Sequence, residues 1–266
     1  MDRQATNPRS PISDAALFAF LTFAISCPLW VLLIRRGRLA GEPLAGLLAW
    51  TPSLVGLLLS WLLGYGKQGL GGRWPSARAF ALAALVPLLA VSASLVALTF
   101  AGESSLRWPL EFAGTLGALA VFSYGAIGEE FGWRGFLQAR LREAGVERRW
   151  LLGSLVWSVW HYPLIFSGLS AASSSRPAIS AALFTVSVTA CGIFLGWLRE
   201  RYDSIWPVVV SHAVHNVAAL HIGPANLLRA PDHPYLVGDS GVLLAIPYVL
   251  IALYLSAGTL GKNRRT

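Results

Sequence analysis

Apolar runs of about 20 residues recur from one end of the 266-residue chain to the other, each as long as a helix must be to cross a hydrocarbon core of roughly 30 Å. Inside a bilayer every backbone N–H and C=O must find its partner within the protein, so such runs are read as helices. The expected fold is an all-α, polytopic transmembrane helical bundle of about eight spans. The spans are expected near residues 15–34, 44–65, 79–101, 110–128, 150–168, 178–198, 205–222 and 240–260 of a single integral membrane domain covering 1–266. Composition agrees: 55% of residues are hydrophobic and 13% charged, against roughly 25% charged in soluble domains. The first run is too long for a secretory signal and ends in "RRGR" without a small-residue cleavage site, so it is read as a retained span.

The net charge of +8 does not point to nucleic acid, because the 21 Lys and Arg residues sit in short clusters between apolar runs. With the N-terminus in the cytoplasm, fifteen of the 21 fall on the inner side, among them Arg3, Arg9, Lys67, Arg73, Arg78, Arg140, Arg199, Arg264 and Arg265. The positive-inside rule therefore favours both termini in the cytoplasm, with a bacterial plasma membrane as the expected location. The segment "FLQARLREAGVERRW", residues 136–150, alternates apolar and basic residues and is expected to lie as a helix on the membrane surface. "SGLSAASSSRPA", residues 167–178, reads as an outer loop. Cys27 and Cys191 form no CxxC spacing and are expected to be buried, inert thiols.

Polar residues inside such runs need a reason. "GAIGEEFGWRGF" places Glu129, Glu130 and Arg134 at the end of the fourth span. Successive helical residues diverge by about 100°, whereas residues at i,i+4 share a face, so Glu130 is expected to pair with Arg134 and leave Glu129 free to titrate. Partial burial raises a carboxyl pKa, which makes Glu129 the candidate general base. "LVWSVWHYPLIF" sets His161 about eleven residues into the fifth span, with Trp157 packing beneath it and Pro163 loosening the helix. "SHAVHN" puts His212 and Asn216 at i,i+4, with His215 nearby. Asp203 or Ser204 could cap the seventh span, and Pro207 suits its first turn.

One shared cavity entered from the cytoplasmic side would let these groups hydrolyse an amide. Glu129 and His161 would polarise water while His212 and Asn216 donate toward the oxyanion. Alternatively Glu129, His161 and His212 would hold a divalent metal such as zinc. Each cluster also has a plainer reading as polar glue between helices.

The three motifs resemble those of the CPBP family of intramembrane proteases, which includes CAAX proteases and bacteriocin-processing (Abi) proteins. "EEFGWR" matches EExxxR, "WSVWH" stands at the FxxxH position with Trp157 for phenylalanine, and "HAVHN" matches HxxxN, all within about residues 110–222 as a catalytic core. The resemblance implies catalytic Glu129, His161, His212 and Asn216, with Glu130, Arg134 and Trp157 in support. It also implies a peptide or membrane-protein substrate, one that could carry a lipid, and leaves the metal open. HExxH and GxSxG are absent, and "VGDS" lacks a full GxGD. The competing expectations are a catalytically idle scaffold, immunity protein or regulator of the same family, and a proton-coupled transporter. Against the latter, no paired broken helices stand out.

Overall fold

The computed structural model describes residues 10–66, 70–108, 110–228 and 235–263. Arg3, Arg9, Lys67, Arg264 and Arg265, on which part of the topology expectation rests, lie outside these residues.

Helix α1, Pro11–Arg36, starts where Ser10 Oγ accepts from the Ser13 amide at 3.3 Å. It ends at Gly37, whose φ of 66° suits a left-handed cap. Helices α2 (Pro43–Leu62) and α3 (Ala77–Phe100) follow. Further along the chain come α8 (Pro177–Tyr202) and α11 (Val242–Asn263). Of these, α1, α2, α3 and α8 are long and apolar enough to cross a membrane. Of the described residues 75% are helical and none forms a strand, as expected of a membrane bundle.

The remaining expected spans are broken, each for an identifiable reason. Residues 110–114 are not helical, because Gly114 sits at φ 75° and α4 begins only at Thr115, running to Glu130. The chain then widens into a π-helical segment, Phe131–Leu137, before α5, Gln138–Glu143. The fifth expected span divides into α6 (Arg149–Trp160) and α7 (Tyr162–Phe166) with His161 at the break. Pro163 causes this: it has no N–H for the carbonyl four residues back, and its ring would strike that carbonyl. The seventh is α9 (Trp206–Asn216), a second π-helical segment Val217–Ile222, and the short α10, Gly223–Ala225.

Two expectations need correction. Residues 136–150 do not form one surface helix: α5 stops at Glu143, and Gln138, Arg140 and Leu141 are buried. Arg140 lies 3.4 Å above the Tyr65 ring, and the Tyr65 hydroxyl donates to Asp14, so α5 is drawn into the ends of α1 and α2. Of the cysteines, Cys191 is buried but Cys27 is exposed. The buried stripe of α1 runs through Phe18, Thr22, Ser26 and Trp30, and Cys27 lies one residue beyond it, turned outward.

Helix α8 packs between α6 and α11, while α4 packs between α2 and α9, and α3 lies against α9 and α11. Loops that the span order puts on one side do meet. The α2–α3 and α8–α9 loops join through Gly72 and Ser204, and the Ile205 amide donates to Gly71 O at 2.7 Å. On the other side the Arg107 amide donates to Asn226 O at 2.8 Å. Pro207 occupies the first turn of α9, as expected, but the cap residue is Ile205 rather than Ser204, whose Oγ accepts from the Trp206 amide at 3.3 Å. Asp203 instead accepts from Arg199 at 3.1 Å.

Candidate active site

The end of α4 is held hard against α2. A Cβ on Gly132 would sit 2.4 Å from the Pro52 carbonyl, and one on Gly128 would sit 2.8 Å from Ala49 O. Only glycine allows that approach. Ser53 Oγ adds a hydrogen bond to Ile127 O at 3.0 Å. Glu129 and Glu130 are thereby fixed between two contact points, at the threshold of the π-helical segment that is a common local device at functional sites.

The two acids go different ways, as the helical period requires. Glu130 is wholly buried, and both its oxygens accept from Arg134 Nη1, at 2.9 and 3.0 Å. Its Oε1 also lies 2.8 Å from His212 Nδ1. A carboxylate accepts only, so His212 donates Nδ1–H and its Nε2 faces away from the pair. A buried charge needs such partners to remain charged. Glu129 points to α6 instead, where Oε2 accepts from Trp157 Nε1 at 2.6 Å. Among the described residues the Trp157 indole makes the only hydrogen bond to this carboxylate, and Glu129 Oε1 accepts none.

Trp157 is the hub of the site. The Arg134 guanidinium lies 4.2 Å from its ring centroid, and the rings of His212 and His161 meet it edge-on at 5.4 and 5.7 Å. His161, at the break between α6 and α7, donates Nδ1–H to the Trp157 carbonyl at 2.9 Å. That bond fixes the tautomer and leaves Nε2 with its lone pair. Trp160 and Phe184 wall the ring at 5.0 and 5.2 Å.

Every sequence-predicted residue except Asn216 thus enters one connected cluster, with Trp157 rather than a direct bond joining Glu129 to His161. Asn216 is half-buried on α9, and its carboxamide makes no hydrogen bond among the described residues. His212 Nδ1 is committed to Glu130.

The residues do not fit a zinc centre. Among the described residues no three of His, Cys, Asp and Glu converge as ligands, whereas a catalytic zinc needs three.

Sequence reasoning missed one carboxylate. Asp239, within "VGDS", lies 3.2 Å from His215 Nε2, while His215 Nδ1 lies 2.8 Å from the Tyr248 hydroxyl. Burial pushes the Asp239 carboxyl up, but the hydrogen bond from His215 prevails and holds it below its ordinary value. An isolated acid opening an apolar run was the available signal.

A helical membrane bundle that buries two glutamates, an arginine and histidines from three helices has the outline of an intramembrane peptidase. Residues 109–218 match the family described as Rce1-like, type II CAAX prenyl endopeptidase Rce1-like. The interval takes in α4 to α9 with all three motifs, so the resemblance read from them holds. The match implies CAAX-type intramembrane endopeptidase activity in general terms, a peptide substrate and an integral membrane setting. No curated protein matches the chain.

Proposed function

We propose that this protein is an active intramembrane endopeptidase in which Glu129 activates water. The observation that carries the reading is the contrast between two adjacent acids. Glu130 is saturated by Arg134 and His212, whereas Glu129 receives one hydrogen bond, from Trp157, and keeps an oxygen for water.

In this mechanism Glu129 takes a proton from water as the water oxygen bonds to the scissile carbonyl carbon, and the carbonyl π pair moves onto oxygen. His161 Nε2 accepts the second hydrogen bond of that water and fixes its direction. The Asn216 amide, and His212 Nε2–H when that ring is protonated, face the developing oxyanion. Collapse breaks the C–N bond, and Glu129 returns its proton to the leaving amine. The net change is addition of water across one peptide bond. Glu130 and Arg134 hold their neighbours in place and do not react.

The substrate we propose is the C-terminal region of a lipidated peptide or a membrane-protein partner, cleaved near the cytoplasmic face, with both termini of the enzyme in the cytoplasm. The test is cleavage in proteoliposomes of matched C-terminal peptides with and without a prenyl group on cysteine, each with and without a strong chelator. Cleavage that needs the prenyl group and survives chelation supports the reading in full. Cleavage abolished by chelator and restored by zinc would overturn the water-activation scheme. Absence of cleavage across prenylated, unprenylated and membrane-protein substrates would favour an idle scaffold.

A further inference from the structure

The turn that leads into α11 holds a carboxylate against α9, and the mechanism above makes no use of it. The turn is firmly built. Gly238 has φ 75°, the Gly241 amide donates to Gly238 O at 2.8 Å, and the Val242 amide donates to Tyr235 O at 2.9 Å. A Cβ on Gly241 would come within 2.5 Å of the Val237 carbonyl carbon, so the turn closes only around glycine. Ser240 Oγ lies 2.9 Å from Ala172 O and 3.1 Å from Ser180 O, fastening the turn to the start of α8. So fastened, the turn presents Asp239 to His215.

His215 is used up by this arrangement. Its Nε2–H donates to Asp239 Oδ1 and its Nδ1 lies 2.8 Å from the Tyr248 hydroxyl, so neither nitrogen remains for water or substrate. The side chain of His215 is 9% exposed and that of Asp239 16%. Yet His215 is three residues past His212 and directly before Asn216, on the same helical turn. Helix α9 is therefore held at two places on that turn: His212 to Glu130 from α4, and His215 to Asp239 and Tyr248 from the α11 side. Immediately beyond Asn216 the chain widens into its second π-helical segment. The His215 anchor is the last hold before that change.

We propose that Asp239 is a positioning residue of the active site. By fixing His215 it sets the rotation of α9 about its own axis, and so where Asn216 and His212 aim. This rests on the protease reading above. Polar residues that merely join helices contribute to stability, but an anchor one residue from an oxyanion donor has a kinetic consequence. A misplacement of about 1 Å can cost on the order of 100-fold in rate.

The test compares Asp239→Ala, Asp239→Asn and Gly241→Ala with wild type in proteoliposomes, using a prenylated C-terminal peptide. In Asp239→Ala, kcat should fall at least about tenfold while KM changes by less than about twofold, the signature of an interaction that matters in the transition state. Asp239→Asn keeps an acceptor for His215 Nε2–H and should stay within about threefold of wild type. Gly241→Ala displaces the turn without touching any site side chain, and it should reproduce the Asp239→Ala signature. Amide hydrogen exchange across 206–216 should speed up in Asp239→Ala and Gly241→Ala but not in Asp239→Asn. The inference is overturned if Asp239→Ala keeps its wild-type kcat, or if its loss matches its loss of folded protein. An asparagine variant as impaired as the alanine variant would overturn it in favour of the charge itself. Should wild type cleave nothing, hydrogen exchange decides alone, and unchanged protection of 206–216 rejects the anchor. Failure of the protease reading would instead appear as Glu129→Gln cleaving like wild type.

Discussion

At the scale of single residues, the account turns on what each partner supplies. Trp157 occupies a position where the resembling family has phenylalanine, and here its Nε1–H holds Glu129 at 2.6 Å. Trp157→Phe keeps an aromatic ring beneath Arg134 and His161 but removes that donor. The expected outcome is a fall in kcat of about tenfold with little change in KM. An unchanged kcat would mean that Glu129 does not depend on the indole for its aim. Glu130→Gln is expected to act on folding as much as on chemistry. It leaves the Arg134 guanidinium, 4% exposed, without its carboxylate, and breaking a buried pair costs about 3–5 kcal/mol. Denaturation of the purified variant in detergent checks this; wild-type stability with all activity lost would make Glu130 the reacting acid instead.

At the scale of elements, close approach and local charge do the positioning. Gly132→Ala, just past the end of α4, would force the chain there away from Pro52 on α2, since its Cβ has only 2.4 Å. Overpacking of this kind costs about 1–3 kcal/mol, and the displaced helix carries Glu129. The melting temperature and kcat should therefore fall together, whereas Gly125→Ala, where a Cβ meets nothing, should leave both unchanged. The α1–α2 connection gives a pH signature. Glu42 receives a hydrogen bond from Arg36 at 2.6 Å and another from Arg38, and these partners hold its carboxyl below the ordinary value. A group depressed in the folded state contributes stability above its unfolded pKa, near 4.3, and loses that contribution as pH falls through the folded value. Glu42→Gln should thus be less stable than wild type at pH 7, with the gap closing in acid. A gap that persists unchanged below the carboxylate range would contradict the ion-pair account.

At the scale of the whole molecule, the sequence carried the helical membrane architecture and the local pairings, because both depend on run length and on the 3.6-residue period. Glu130 with Arg134, Trp157 beneath His161 and the loosening at Pro163 are all local. What was not legible comes from distance along the chain. His212 meets Glu130 across 82 positions, and His215 meets Asp239 across 24; no spacing rule announces such contacts. The burial of Arg140 was hidden for the same reason, since alternating basic residues look like a surface helix until Tyr65 supplies a ring to stack on. The π-helical segments also escape periodicity, which presumes regular helix. In the assembled molecule three helices bring their polar residues to one cluster, and α2, α3 and α8 pack against those helices.

The most direct test of the central claim is the rate of peptide cleavage by Glu129→Gln in proteoliposomes, read beside its thermal unfolding. The account predicts a kcat reduced by about 10²–10⁴, the span of general acid–base catalysis, at nearly wild-type stability, because Glu129 is not part of the Glu130–Arg134–His212 lock. A well-folded Glu129→Gln that retains more than about a tenth of the wild-type rate would contradict it, and the water-activating role would then have to be sought elsewhere in the cluster.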